Sequence, residues 1–228
     1  MSHDIAGAIE GVQERIVRAC ERAGRDSSSV QLVAVAKGHP EEAIRAAYEA
    51  GMRVFGENYA QDLAAKASML NDLADIRWRF IGHLQRNKIK LIEEARATVD
   101  TIDSVRLAEA LSARARASGT NIEALLQVNV GGEAQKSGCA PDELPALVEA
   151  VRALPNITLR GLMTVAPDLD DVEATRPFFA RLRELAEAHG LPELSMGMTH
   201  DLEQAVAEGA TMLRIGTAIF GPRPLVQR

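Results

Sequence analysis

Cysteine is nearly absent: Cys20 and Cys139 are the only two in 228 residues, far apart and each without a cysteine neighbour. That pattern suggests neither a disulfide framework nor a thiolate zinc site. Histidine is sparse too, and no pair has metal-ligand spacing on one helix face, so no metal is expected. Long apolar runs are missing. Nothing approaches the ~18 apolar residues of a membrane span, and the opening "MSHDIAGAIEGVQER" places acids where a secretion signal stays apolar. The expected location is cytoplasmic. A formal net charge of −6 argues against broad attraction to nucleic acid or an anionic membrane, both of which need clustered cations. The basic run "LQRNKIK" at 84–90 reads as a solvated helix face. No Gly/Ser linker, low-complexity tract or composition step divides the chain, so residues 1–228 are expected to form one domain.

What the chain does contain is alternation. Ile5, Ile9, Val12, Ile16 and Cys20 recur at helical spacing and Gly24 closes that segment, which predicts an amphipathic helix over 4–24. Eight short apolar runs follow: "QLVAVA", "RVFG", "WRFIG", "TVDTI", "EALLQVNV", "TLRGLMTV", "ELSM" and "TMLRIG". Their C-terminal ends fall near Lys37, Gly56, Gly82, Asp103, Asn129, Met163, Ser195 and Ile215, spaced by 19 to 34 residues. Each interval holds one crossover helix plus a strand, the requirement for parallel neighbours. The pattern predicts an α/β fold, a single (β/α)8 TIM barrel with an extra N-terminal helix in place of the helix after the last strand. An open doubly wound sheet is the alternative.

Active faces of such barrels lie at the C-terminal strand ends. Lys37 closes an apolar strand and is followed by Gly38 and by Pro40-Glu41-Glu42, a helix start with proline first and acids in the first turn. Asn58 follows the second strand, His83 the third, and Asn129 ends the fifth. "SMGMTHD" and "RIGTAIFG" bring Gly197, Thr199, Gly216 and Thr217 to the last two strand ends. There glycine permits close backbone approach, Thr199 is placed to cap a following helix, and the two turns together form a phosphate cradle. A lysine in an apolar barrel mouth is disfavoured as a cation, which makes it a nucleophile toward carbonyls. Amine, cradle and Asn58 together suit an aldehyde that carries a phosphate, and pyridoxal 5′-phosphate (PLP) is such a ligand. A lysine aldolase acting on a sugar phosphate fits the same features.

The segments "LVAVAKGHP", "VFGENYAQD", "WRFIGHLQRNK", "LLQVNVGGEAQKSG", "RGLMTVAP" and "LSMGMTHDLEQAVAEGATMLRIGTAIFG" resemble, in order and spacing over residues 31–223, the pyridoxal phosphate homeostasis proteins. The resemblance implies a barrel related to the N-terminal domain of alanine racemase. It also implies PLP carried as an imine, a role in vitamin B6 balance, and no established turnover. Residue by residue, it implies Lys37 as the imine lysine and Asn58 beside the ring; His83, a rim histidine adjoining a helix start, reads as a capping or ring contact with the cofactor rather than a proton carrier. Ser195, Thr199, Gly216 and Thr217 would hold the phosphate, Met196 would be a further cofactor contact, and Arg214 would face the pyridine nitrogen. Ala36, Gly38 and His39 depart from the serine and Thr-Lys expected around the lysine, and Thr199 replaces a serine while keeping its hydroxyl.

A guanidinium opposite the pyridine nitrogen disfavours a second positive charge there, so the ring would stabilise a carbanion poorly. Racemisation also needs an acid/base on the opposite face. The chain ends at Arg228 with no second domain expected, and Tyr48 and Tyr59 read as packing or wall residues. The favoured reading is a PLP-binding regulatory protein, not an enzyme, with apo PLP-dependent enzymes as candidate receivers. A PLP-dependent racemase of low activity is the alternative. A monomer is the simplest expectation, with a weak dimer next.

Overall fold

The computed structural model describes residues 3–222. The strands are β1 (Gln31–Val35), β2 (Val54–Glu57), β3 (Arg77–Phe80), β4 (Thr98–Ile102), β5 (Ile122–Gln127), β6 (Ile157–Met163), β7 (Glu193–Ser195) and β8 (Met212–Ile215). The helices are α1 (Ile5–Arg22), α2 (Glu41–Glu49), α3 (Ala60–Met69), α4 (Ile89–Glu94), α5 (Val105–Ser118), α6 (Leu144–Arg152), α7 (Arg176–Ala188), α8 (Leu202–Ala207) and α9 (Thr217–Phe220). All neighbouring strands are parallel, and β8 closes on β1 through Gln31↔Met212 to Ala34↔Ile215. The result is a closed eight-stranded barrel, not an open sheet. Every strand ends within two residues of the position read from the sequence.

The first helix starts where Asp4 accepts the Gly7 N–H at 3.0 Å, a cap that contributes about 1 kcal/mol. It buries Ile9, Val12, Ile16 and Cys20 and packs against α2, α8 and α9. It thus occupies the place in the outer ring that the short α9 cannot fill. At α2, Pro40 stands one residue earlier than expected, at the cap position with ψ 168°, and Glu41 is the first helical residue.

Strand alternation sorts the core into two layers. Val33, Val54, Leu125, Met163 and Met212 fill the barrel interior. Phe55, Phe80, Leu63 and Phe179 are fully buried in the larger cluster between strands and helices. Because Val33 pairs with Arg214, and Met163 and Met212 both pair with Ser195, the side chains of Arg214 and Ser195 also point inward. The interior is therefore part apolar and part charged.

Candidate functional site

A cavity of about 260 Å3 opens at the C-terminal mouth of the barrel. Its wall includes Lys37 after β1, Asn58 after β2, Thr199 after β7, and Arg214, Gly216 and Thr217 on and after β8. Val35, Met163 and Val165 give it an apolar floor. Lys37 is half-buried at the strand exit, and Gly38, at φ 76°, takes the left-handed conformation that turns the chain toward α2. His39 is buried and stacks on Phe220 with ring centroids 5.0 Å apart. A second cavity of about 190 Å3 shares Asn58, Ile81, Met163 and Val165 with the first. His83 lines that one, its side chain 62% exposed and its Nδ1 3.8 Å from Asp103 Oδ2. A larger space of about 710 Å3 lies against the opposite strand ends, at Arg77 and Thr98, and contains no lysine, histidine or cysteine.

Arg214 is 4% exposed, not a surface ion-pair partner. Its Nη1 donates to Ser195 Oγ at 2.8 Å and its Nη2 to the Thr164 carbonyl at 2.7 Å. Burial draws its pKa down to about 10, with Asp100 opposing, so the guanidinium is charged at neutral pH.

Two residues expected to contact the cofactor, Ser195 and Met196, do not line the cavity. Ser195 is fully buried beneath the cavity, where its hydroxyl accepts from Arg214. Met196 points the other way, into the layer between strands and helices, because adjacent strand residues face opposite sides. Its N–H is held by the Met212 carbonyl at 3.1 Å. Gly197 does not line the cavity either. At φ 92°, a Cβ there would meet Ala205 Cβ at 2.5 Å and Leu213 Cδ2 at 2.7 Å, so the glycine serves helix–strand packing. Nor does Thr199 cap α8. Asp201 stands at that position and accepts the Met198 N–H at 2.6 Å, while Thr199 lines the cavity. The Thr199 carbonyl accepts from Arg15 Nη2 of α1 at 3.0 Å, which ties the loop to the N-terminal helix.

Four site-supporting residues escaped the sequence reading. Arg79 Nε donates to both oxygens of Asp100, at 3.1 and 2.9 Å, inside the barrel. Burial pushes the Asp100 carboxyl up, and Arg79 beside it pulls it back. Outside the barrel wall, Lys66 of α3 donates to Glu57 Oε1 at 2.5 Å and to the Ala36 carbonyl at 2.8 Å. The available signal was a charged residue inside an otherwise apolar strand, as in "TVDTI" and "WRFIG", because such a charge needs a buried partner. No group of three or more His, Cys, Asp or Glu side chains among the described residues could hold a metal. No helix there is long and apolar enough to cross a membrane.

Comparison with known proteins agrees with this geometry. Residues 11–224 match the family described as "Alanine racemase, N-terminal domain". A protein of Pseudomonas aeruginosa named pyridoxal phosphate homeostasis protein is 49% identical over 221 residues, covering 96% of each chain. One of the same name from Aquifex aeolicus is 44% identical, covering 94% of this chain and 96% of its own. The solved structure of PipY from Synechococcus elongatus with PLP bound superposes with a TM-score of 0.83 at 37% identity, covering 95% of this chain and all of that one. The chain therefore belongs to the alanine racemase N-terminal-domain family and, within it, to the pyridoxal phosphate homeostasis proteins.

Proposed function

We propose that this protein holds PLP covalently on Lys37 in the cavity at the barrel mouth and acts in PLP homeostasis as a carrier, without catalytic turnover. One observation supports it above the others: an amine, two hydroxyls and a guanidinium surround a single cavity, and Asn58 Oδ1 on its wall is buried without a hydrogen-bond partner. A buried, unpaired amide oxygen is costly and calls for a ligand donor. PipY, 37% identical, binds PLP.

When bound, PLP supplies an aldehyde for the Lys37 amine and a ring able to withdraw electrons. Lys37 provides the covalent attachment and Asn58 orients the ring edge. Thr199 and Thr217 provide hydroxyls, and Gly216 exposes backbone, to a phosphate group. Arg214, held by Ser195 and Thr164, keeps a positive charge in the cavity wall and opposes protonation of a ring nitrogen placed beside it. That favours holding over carbanion chemistry. Tyr48 and Tyr59 line neither mouth cavity; Tyr48 donates to Asp75 on the surface and Tyr59 is 59% exposed. Apo PLP-dependent enzymes are the receivers this reading supports.

Purified protein reconstituted with PLP is expected to be yellow, and borohydride reduction is expected to leave the cofactor's mass on the Lys37 peptide. Lys37→Ala should be colourless. Unchanged colour would overturn the lysine assignment, racemase turnover on alanine or serine above background would overturn the carrier reading, and failure to restore an apo-enzyme would remove the receivers.

A further inference from the structure

The two strand exits that present Lys37 and Asn58 are joined on the outer side of the barrel wall. Val35 pairs with Gly56, so Val35, Lys37 and Asn58 share the inward side, where all three line the cavity. Ala36 and Glu57, one residue out of phase, turn toward the helix layer, and both are fully buried. Lys66, 8% exposed on α3, reaches both of them: Glu57 Oε1 at 2.5 Å and the Ala36 carbonyl at 2.8 Å. The same carbonyl accepts the His39 N–H at 3.1 Å, and the Ala36 N–H donates to the Gly56 carbonyl at 3.0 Å. The peptides before Lys37 and after Gly38 are thereby fixed from behind.

A buried ion pair is a poor source of stability, since an apolar pair of similar volume does as well or better. Glu57 even leaves Oε2 buried without a partner. What a hydrophobic pair could not do is hold a backbone carbonyl and the neighbouring strand end at one fixed separation. Resting on the reading of Lys37 and Asn58 as cofactor contacts, we propose that Lys66 and Glu57 are positioning residues. Their ion pair clamps the exits of β1 and β2 so that the Lys37 amine and the Asn58 amide meet the same small ligand.

The test is the neutral double variant Glu57→Gln/Lys66→Met, compared with the parent in PLP titration and in amide hydrogen exchange. The variant is expected to fold, because both charges leave together. Its Kd for PLP should rise about tenfold, the pH midpoint of its visible band should move, and the Ala36 and His39 amides should exchange at least about tenfold faster. Lys66→Gln, which leaves Glu57 able to take up a proton, is the second variant and should show the same losses if the double variant does not fold. A folded variant with parental affinity and pH midpoint reduces the pair to packing and overturns the proposal. Parental exchange at residues 36 and 39 overturns it as well. If the parent itself takes up no PLP, the cofactor reading fails and exchange alone decides on the clamp.

Discussion

Gly82 offers a sharp test of how the cavity wall is built. A Cβ placed there would lie 2.0 Å from the Asn58 carbonyl oxygen, 2.7 Å from its carbonyl carbon and 2.8 Å from its Cα. All three are backbone atoms, so no side-chain rotation relieves the overlap. To recover the ~3.3 Å of an ordinary carbon–oxygen contact, the Asn58 peptide must retreat by ~1.3 Å. Overpacking of this kind costs about 1–3 kcal/mol, and at 150–250 residues each kcal/mol moves Tm by about 2–4 °C. Gly82→Ala is therefore expected to melt ~2–12 °C below the parent by circular dichroism. It is also expected to bind PLP at least about tenfold more weakly, because the displaced residue carries the unpaired amide. Gly11→Ala is the control: it lies within α1 with nothing within 4 Å of a Cβ, so the same substitution should stabilise by about 0.5–1 kcal/mol. A Gly82→Ala protein that melts with the parent and binds PLP equally would refute the reasoning.

Other outcomes follow from the charged interior and from α1. Asp100→Asn leaves the Arg79 and Arg214 guanidiniums buried without their shared carboxylate and should cost about 3–5 kcal/mol in urea unfolding. Arg79→Met/Asp100→Leu, which removes the ion pair and leaves only Arg214 without the carboxylate, should recover part of that loss; equal losses would show that the Arg79–Asp100 pair is not what matters. Although burial raises Glu203, its bonds to Arg15 hold the carboxyl below the usual range. Its contribution is present above the unfolded value of about 4.3 and is lost as pH falls through the lower folded value. The melting difference between Glu203→Gln and the parent should therefore be constant from pH 7 to 5 and shrink below about pH 4. A difference that grows on acidification would reverse the sign of this linkage.

By itself the sequence determined eight parallel strand–helix units and most of the mouth, while the pairing of β8 with β1 in the tertiary structure decided a closed barrel over an open sheet. Strand positions were legible because the apolar runs are short and ended by glycine or polar residues, and every interval is long enough for a parallel crossover. Lys37, Asn58, Thr199, Gly216 and Thr217 were legible because a residue past a strand's C-terminal end lies on the rim of a barrel, and Arg214 because it stands one residue before the end of the eighth strand. The tertiary structure alone decided that Ser195 supports Arg214 from below, that Met196 faces the helices, and that Gly197 makes room for Ala205 and Leu213. It alone paired Arg79 with Asp100 and brought Lys66 to Ala36. The reason is physical: alternation along a strand says which residues share a side, but which side is inward, and which charge meets which, depends on register between segments about 20 to 30 residues apart.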